Sequence, residues 1–107
     1  PAAGLVQRVT AFCLANLHRP LSLSILSEEL HISKSHLSHL FVERMGISFT
    51  KYIHRLRVNE ACARLKTTEE KIIDIAFAAG FSDVRTFNRV FLRYTGLSPG
   101  QYRKLNK

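Results

Sequence analysis

The sequence predicts an all-α protein in which two helix-turn-helix units are joined by a long central helix. Glycine and proline are scarce, with five and three among 107 residues, and no run alternates apolar and polar residues as a half-buried strand does. Apolar residues instead recur at helical spacing in about seven segments of ordinary helix length. Part of this pattern occurs twice, which indicates that one supersecondary unit is duplicated.

The first helix-turn-helix unit is predicted over residues 1–47. Its opening helix ends near Pro20, because proline cannot continue a helix. Ser22 and Ser33 are predicted to cap the two short helices that follow, since a serine hydroxyl accepts a hydrogen bond from a free N–H group of the first turn. The second of these helices is expected to close before Gly46.

A long helix without glycine or proline is predicted over residues 48–66, with Ser48 as its cap. At ~1.5 Å per residue, this helix would be on the order of 27 Å long. Its apolar stripe changes sides along the way, so its two halves should pack into two different bodies. The first half carries Phe49, Tyr52, Ile53 and Leu56, and the second half carries Val58, Ala61, Cys62 and Leu65.

The second helix-turn-helix unit is predicted over residues 67–107. Residues 67–70 (TTEE) have the spacing of a capping box, in which the side chains of the first and fourth residues bond to each other's backbone N–H groups. Ser82 is predicted to cap the second recognition helix, with Asp83 at its first helical position. Residues 98–101 (SPGQ) form a strong start signal for a last helix.

The repeat is the most informative feature of the chain. Four residues of the first unit and the central helix recur fifty positions later: Phe41, Gly46, Ser48 and Tyr52 return as Phe91, Gly96, Ser98 and Tyr102. Ser33 returns as Ser82, forty-nine positions later, so the second turn and helix together should hold one additional residue. Two copies of one unit therefore follow each other in the chain.

The chain is strongly basic, because 16 lysines and arginines outnumber 8 acidic residues for a formal net charge of +8. Such an excess is typical of proteins that bind an anionic partner, either nucleic acid or an acidic membrane surface, although it also serves solubility. No apolar run approaches the ~18 residues of a membrane span, and there is no signal-peptide pattern. Cys13 and Cys62 fall in helical stripes, which favours core thiols in a reducing cytoplasm over a disulfide.

No catalytic arrangement is recognisable in the sequence. There is no Ser/His/Asp set with familiar spacing and no glycine-rich phosphate loop, and paired acids occur only at helix starts. His36 and His39 are spaced as metal ligands can be, but no set is completed. We therefore predict no enzyme activity, cofactor or metal. Two alternatives stay open: a basic helical protein-interaction module with only non-specific DNA contact, and a hydrolase with a histidine-based site.

Five segments of the chain match a known pattern: RVNEA at 57–61, IIDIA at 72–76, GFSD at 80–83, FNRVF at 87–91 and GLSPGQYR at 96–103. Together they closely resemble the signature of the AraC/XylS family of bacterial transcription regulators. The resemblance implies two helix-turn-helix units whose recognition helices enter successive major grooves on one face of double-stranded DNA. It also implies a cytoplasmic transcription activator, with RNA polymerase as a further partner.

By this resemblance, bases would be contacted from both recognition helices. The implied base contacts are Ser35, Ser38 and His39 on the first helix, and Val84, Arg85 and Arg89 on the second. Arg85 and Arg89 are four positions apart and so share a helix face, and a guanidinium fork matches O6 and N7 of guanine. Short serine side chains discriminate bases less well. Either arginine could instead hold a phosphate.

Phosphate contacts are predicted from helix N-termini and from basic side chains. The predicted residues are Ser33, Lys34, Lys51, Ser82, Arg93, Ser98 and Arg103. Any of these charges could equally be a solvated surface residue. Arg57 is predicted to form a structural ion pair with Asp74 and not to contact DNA.

The two units follow one another along the chain and do not face each other across a two-fold axis. We therefore predict that the isolated chain binds as a monomer to an asymmetric site of about 20 base pairs, with recognition helices about one turn of DNA apart. The chain begins at Pro1 and not at Met, so we expect it to be the C-terminal part of a longer regulator with a sensory or receiver domain.

Overall fold

The computed structural model describes residues 2–106, with side chains from residue 4 onward. Within these residues the protein has seven α-helices and no strand, which confirms the all-α prediction. The helices are α1 (Ala2–Ala15), α2 (Leu23–Leu30), α3 (Lys34–His39, continuing as a π-helical turn over Leu40–Met45), α4 (Phe49–Thr67), α5 (Ile72–Ala78), α6 (Val84–Thr95) and α7 (Pro99–Asn106). Two compact units divide between residues 53 and 54, inside α4.

The first unit has a core of fully buried side chains from α1, α2, α3 and the π-helical turn: Val9, Cys13, Leu26, Leu37 and Phe41. The ring of Phe41 meets Phe49 edge-on with ring centroids 5.4 Å apart, and Tyr52 at 5.5 Å. Both partners belong to the first half of α4. Phe49 and Tyr52 of the first apolar stripe therefore pack within the first unit, whereas Leu56, predicted in the same stripe, belongs to the second unit.

The second unit has its own core, formed by α4, α5 and α6. The second half of α4 contributes Val58, Ala61 and Leu65, which join Ile75, Ala76, Phe87, Val90 and Phe91. Phe91 meets Tyr102 of α7 edge-on with centroids 5.5 Å apart, just as Phe41 meets aromatic rings of α4. The two ends of α4 therefore pack in different units, as the two apolar stripes predicted for Phe49 and Tyr52 and for Val58, Ala61 and Leu65.

Most of the predicted helix starts are confirmed by hydrogen bonds. The Ser22 and Ser33 hydroxyls each accept a first-turn N–H at 3.1 Å. At the start of α7, Ser98 Oγ accepts the Gln101 N–H at 3.2 Å, and Gln101 Oε1 accepts the Ser98 N–H at 3.0 Å. This reciprocal pair is the predicted capping box.

The cap of α6 differs from the prediction. Asp83, and not Ser82, is the N-cap residue, because its carboxylate accepts the Thr86 N–H at 2.7 Å and its backbone is extended. The N-caps Ser33 and Asp83 are therefore fifty positions apart, like the other repeated residues. The additional residue of the second copy is Ser82 itself, in the turn before the helix.

The capping box predicted at residues 67–70 is also wrong. α4 extends through Thr67, and the Thr68 hydroxyl donates to the Arg64 carbonyl at 2.8 Å, so both threonines complete the end of α4. α5 starts after Lys71 without a side-chain cap. The threonine hydroxyls bond back to the preceding helix turn in place of capping the next helix.

Both recognition helices end at a glycine of the repeat. The π-helical turn after α3 closes at Gly46 with φ 70°, and α6 closes at Gly96 with φ 75°. Such left-handed backbone favours glycine, which has no Cβ to clash. The two recognition helices therefore begin and end at equivalent positions of the fifty-residue repeat.

Candidate nucleic-acid interface

The second set of predicted base contacts lies at the solvent-facing side of α6. Arg85 and Arg89 are exposed, and Val84 is half-buried at the first turn. The two arginines line one shallow depression together with Asp83 and Thr86. The opposite side of α6 is held in the core of the second unit, which fixes the direction in which the arginines project. Side chains of this kind at this spacing can form paired hydrogen bonds to base edges.

Asp83 places a negative charge at the edge of this basic surface. Its carboxylate also accepts the Thr86 hydroxyl at 3.0 Å. The pKa of Asp83 lies below its ordinary value. The hydrogen bond from the Thr86 N–H lowers it most, followed by the bond from the Thr86 hydroxyl and by the charges of Arg85 and Arg89. Asp83 therefore stays ionised, and its charge serves the start of α6.

The first set of predicted base contacts is equally accessible. Ser35, Ser38 and His39 are exposed on α3, while Leu37 is fully buried on its other side. His39 Nδ1 lies 3.3 Å from Glu43 Oε1, so an acidic group sits beside this surface. The predicted contacts on this helix include no arginine, so they are chemically less suited than those of α6 to discriminate bases.

The predicted phosphate contacts are distributed over helix starts and exposed positions. Ser33, Lys34, Lys51, Ser82 and Arg93 are exposed, and Ser98 is half-buried. Lys34 Nζ donates to Ser24 Oγ at 3.2 Å, which brings the start of α3 close to α2. Ser82 is accessible in the turn but does not cap the helix.

Arg103 has a structural partner that sequence reasoning missed. Its Nε donates to the Leu65 carbonyl at 3.3 Å, and one terminal nitrogen donates to the Thr68 carbonyl at 3.2 Å. Leu65 lies in the last turn of α4 and Thr68 directly follows the helix, where backbone carbonyls lack helical N–H partners. The guanidinium therefore caps α4 from α7.

Two residues outside the predicted contacts, Ser48 and His54, lie at the start of α4 and within it. Ser48 is exposed and accepts the Lys51 N–H at 3.3 Å, so it caps α4 as Ser98 caps α7, and the fifty-residue repeat signals this equivalence. His54 is half-buried on α4, with its ring parallel to Phe81 in the turn before α6. No sequence pattern singles out His54.

Other groups that could carry chemistry give no site. Among the described residues, no three histidine, cysteine or acidic side chains are grouped to hold a metal ion. No helix in residues 2–106 combines the length and apolar character needed to cross a membrane. The predicted ion pair of Arg57 with Asp74 stays a prediction.

Two exposed, partly basic recognition helices, each held by its own core, define a helix-turn-helix DNA-binding domain of a transcription regulator. A family model described as a helix-turn-helix domain matches residues 26–105. The chain belongs to this family, and its type is that of the AraC/XylS regulators, as the sequence resemblance implied. It is a regulatory DNA-binding domain and not an enzyme.

Similar proteins agree with this assignment. The chain is 38% identical over 106 residues to the HTH-type transcriptional regulator YfiF of Bacillus subtilis, a match that covers 99% of this chain and 33% of YfiF. The chain thus spans about a third of that relative.

Solved structures share the fold. The C-terminal domain of AraT, a response regulator from Geobacillus stearothermophilus, has a TM-score of 0.89 at 30% identity, over 94% of this chain and 84% of that one. An AraC-type regulator from Chromobacterium violaceum has a TM-score of 0.86 at 28% identity, over 97% of this chain and 96% of that one. The DNA-binding domain of AdpA, solved in complex with a target DNA, has 0.87 at 24% identity, covering 92% and 89%.

Proposed function

We propose that this chain binds a specific double-stranded DNA site by inserting α3 and α6 into successive major grooves. The observation that carries the proposal is the exposed pair Arg85 and Arg89, four residues apart on a helix whose other side is locked into a core. The repeated N-caps Ser33 and Asp83 start the two recognition helices at equivalent positions. Both helices therefore offer a corresponding face to DNA.

Base discrimination in this proposal comes mainly from α6. Arg85 and Arg89 each contact a guanine through a paired hydrogen bond, and Val84 contacts a thymine methyl group. Ser35, Ser38 and His39 contribute weaker preferences from α3. This division follows from side-chain chemistry, because a guanidinium offers a fixed fork of donors and a serine hydroxyl does not.

Affinity that does not depend on sequence comes from phosphate contacts. Helix starts and basic side chains contribute them, from Ser33, Lys34, Ser48, Lys51, Ser82, Arg93 and Ser98. Arg103 is left out of this set because its guanidinium caps α4. The net charge of +8 supports strong salt dependence, since each neutralised phosphate releases counterions.

The biological setting completes the proposal. The chain works in the cytoplasm as the DNA-binding part of a longer transcription regulator, in which a sensory or receiver domain supplies the signal. The limited coverage of YfiF, 33%, supports a longer protein. The regulator activates transcription by contact with RNA polymerase. The isolated domain binds its asymmetric site as a monomer.

The test begins with selection of binding sites from random duplexes by the chain itself. Arg85→Ala and Arg89→Ala should each weaken binding to the selected duplex by ~1–3 kcal/mol and relax the base choice at one position. Ser35→Ala and Ser38→Ala should have smaller effects. Lys66→Ala, which removes an exposed charge outside both recognition helices, is the matched control.

All variants are measured on the selected duplex and on a scrambled duplex of equal composition. Equal losses on both duplexes would show that the arginines only hold phosphates. If the parent chain selects no sequence at all, the basic protein-interaction module is the better description.

A further inference from the structure

His54 is the one histidine of residues 54–107, and it lies beside the second recognition helix. Its ring is nearly parallel to that of Phe81, with centroids 6.2 Å apart and an interplanar angle of 23°. Phe81 is buried and meets Phe87 of α6 edge-on at 5.1 Å. The imidazole is therefore positioned by the turn that leads into α6.

Three guanidinium groups act on this imidazole. Arg57 comes from α4, and Arg89 and Arg93 come from α6. Burial first, and these three guanidinium groups next, lower the pKa of His54 below its ordinary value. The turn before α6 contributes the Phe81 ring, and the carboxylate of Asp83, the N-cap of α6, accepts the Thr86 N–H. Burial and the three positive charges therefore disfavour the protonated form of this imidazole in the free protein.

We propose that His54 binds a DNA phosphate beside Arg93 and takes up a proton as it does so. The inference rests on the proposed function, in which Arg89 contacts a base and Arg93 a phosphate. A phosphate placed at this cluster would offset the arginine charges that disfavour the imidazolium ion. The half-buried ring has two nitrogen atoms, so it can donate to a phosphate oxygen in either protonation state.

Proton uptake makes DNA binding tighter at lower pH. Wherever the complex holds a proton that the free protein lacks, affinity rises as pH falls, by at most ~tenfold per pH unit for one group. We expect the parent chain to bind its selected duplex roughly three- to tenfold more tightly at pH 6.0 than at pH 7.5 because of His54. The first unit contains the other four histidines, so the comparison must isolate His54.

The test measures affinity of the full chain for its selected duplex from pH 6.0 to 8.0, at fixed ionic strength. His54→Gln keeps a polar side chain without a titrating proton. His18→Gln, at an exposed position after α1, is the control. We expect only His54→Gln to lose about threefold or more of the gain at low pH, with little change at pH 8.0.

A second readout does not depend on comparing variants. NMR titration of the His54 ring with and without the duplex should show that its pKa rises on binding. An unchanged pH dependence in His54→Gln, or the same ring titration in both states, would overturn the inference. Loss of sequence preference in the parent chain at every pH would instead overturn the proposed function, so the two failures are distinguishable.

Discussion

Phe91→Ala should remove most of the stability of the second unit. The Phe91 ring is completely buried and touches Phe87 and Tyr102, with ring centroids 5.6 and 5.5 Å away. Burial of about 200 Å² of apolar surface at ~25 cal/mol per Å² gives about 5 kcal/mol as an upper value. Measured truncations of this kind cost ~3–5 kcal/mol. A unit of about 54 residues has a total free energy of unfolding of roughly 3–8 kcal/mol.

The assay is urea denaturation of the full chain, followed by two-dimensional NMR so that each unit is observed separately. Signals of residues 54–106 should collapse at much lower urea in Phe91→Ala. Phe41→Ala should do the same to the first unit. The neighbouring exposed residues provide controls, since Leu92→Ala and Val42→Ala should change little. A Phe91→Ala protein that unfolds like Leu92→Ala would refute the duplicated-core interpretation.

Two further substitutions test the corrected helix ends. Asp83→Ala should lower the melting temperature at pH 7, while Ser82→Ala should not, because only the Asp83 carboxylate caps α6. Because the pKa of Asp83 is lowered in the folded state, this stabilisation is complete above pH 3.8 and is lost as pH falls through the lower folded value. The difference in melting temperature between Asp83→Ala and the parent should therefore be smaller at pH 3 than at pH 7. Arg103→Ala should destabilise the second unit by roughly 1–3 kcal/mol in urea denaturation, because the Leu65 and Thr68 carbonyls at the end of α4 lose a charged donor, and Lys104→Ala should not. Equal melts within either pair would contradict the assigned bonds.

Much of the fold is predictable because its signals are local. Ser22, Ser33 and Ser98 cap helices as the sequence indicates, since a hydroxyl before an apolar helical stripe has few competing roles. The change of sides in the α4 stripe depends only on helical periodicity. The repeat of Phe41 at Phe91 then identifies the two cores.

The errors occur where two neighbouring residues can do the same chemistry. Ser82 and Asp83 are both good N-cap residues. The backbone geometry of the turn after α5 places Asp83 at the cap position, and no side chain in the sequence indicates that geometry. The strict fifty-residue spacing from Ser33 was the available signal for Asp83. The threonines at 67 and 68 could similarly either end α4 or start α5, and in the structure both hydroxyls bond to α4 carbonyls.

The interface could be predicted only in part. The positions of Arg85 and Arg89 follow from helical spacing, because a residue four positions from another lies on the same face. The capping role of Arg103 depends on a contact with Leu65, 38 residues earlier in the chain. The surroundings of His54 likewise depend on how α4, the turn before α6 and α6 itself pack together. Helical periodicity does not predict such contacts.

The two-headed binding mode is tested most directly by changing the spacing within the selected site. Recognition helices in successive major grooves need centres about one turn, ~10 base pairs, apart. An insertion of five base pairs between the two halves would turn one half to the opposite face of the DNA, so we expect one chain not to engage both halves at once. We expect affinity for the inserted duplex to fall to that of a single half-site. Unchanged affinity for the inserted duplex would contradict simultaneous binding by α3 and α6.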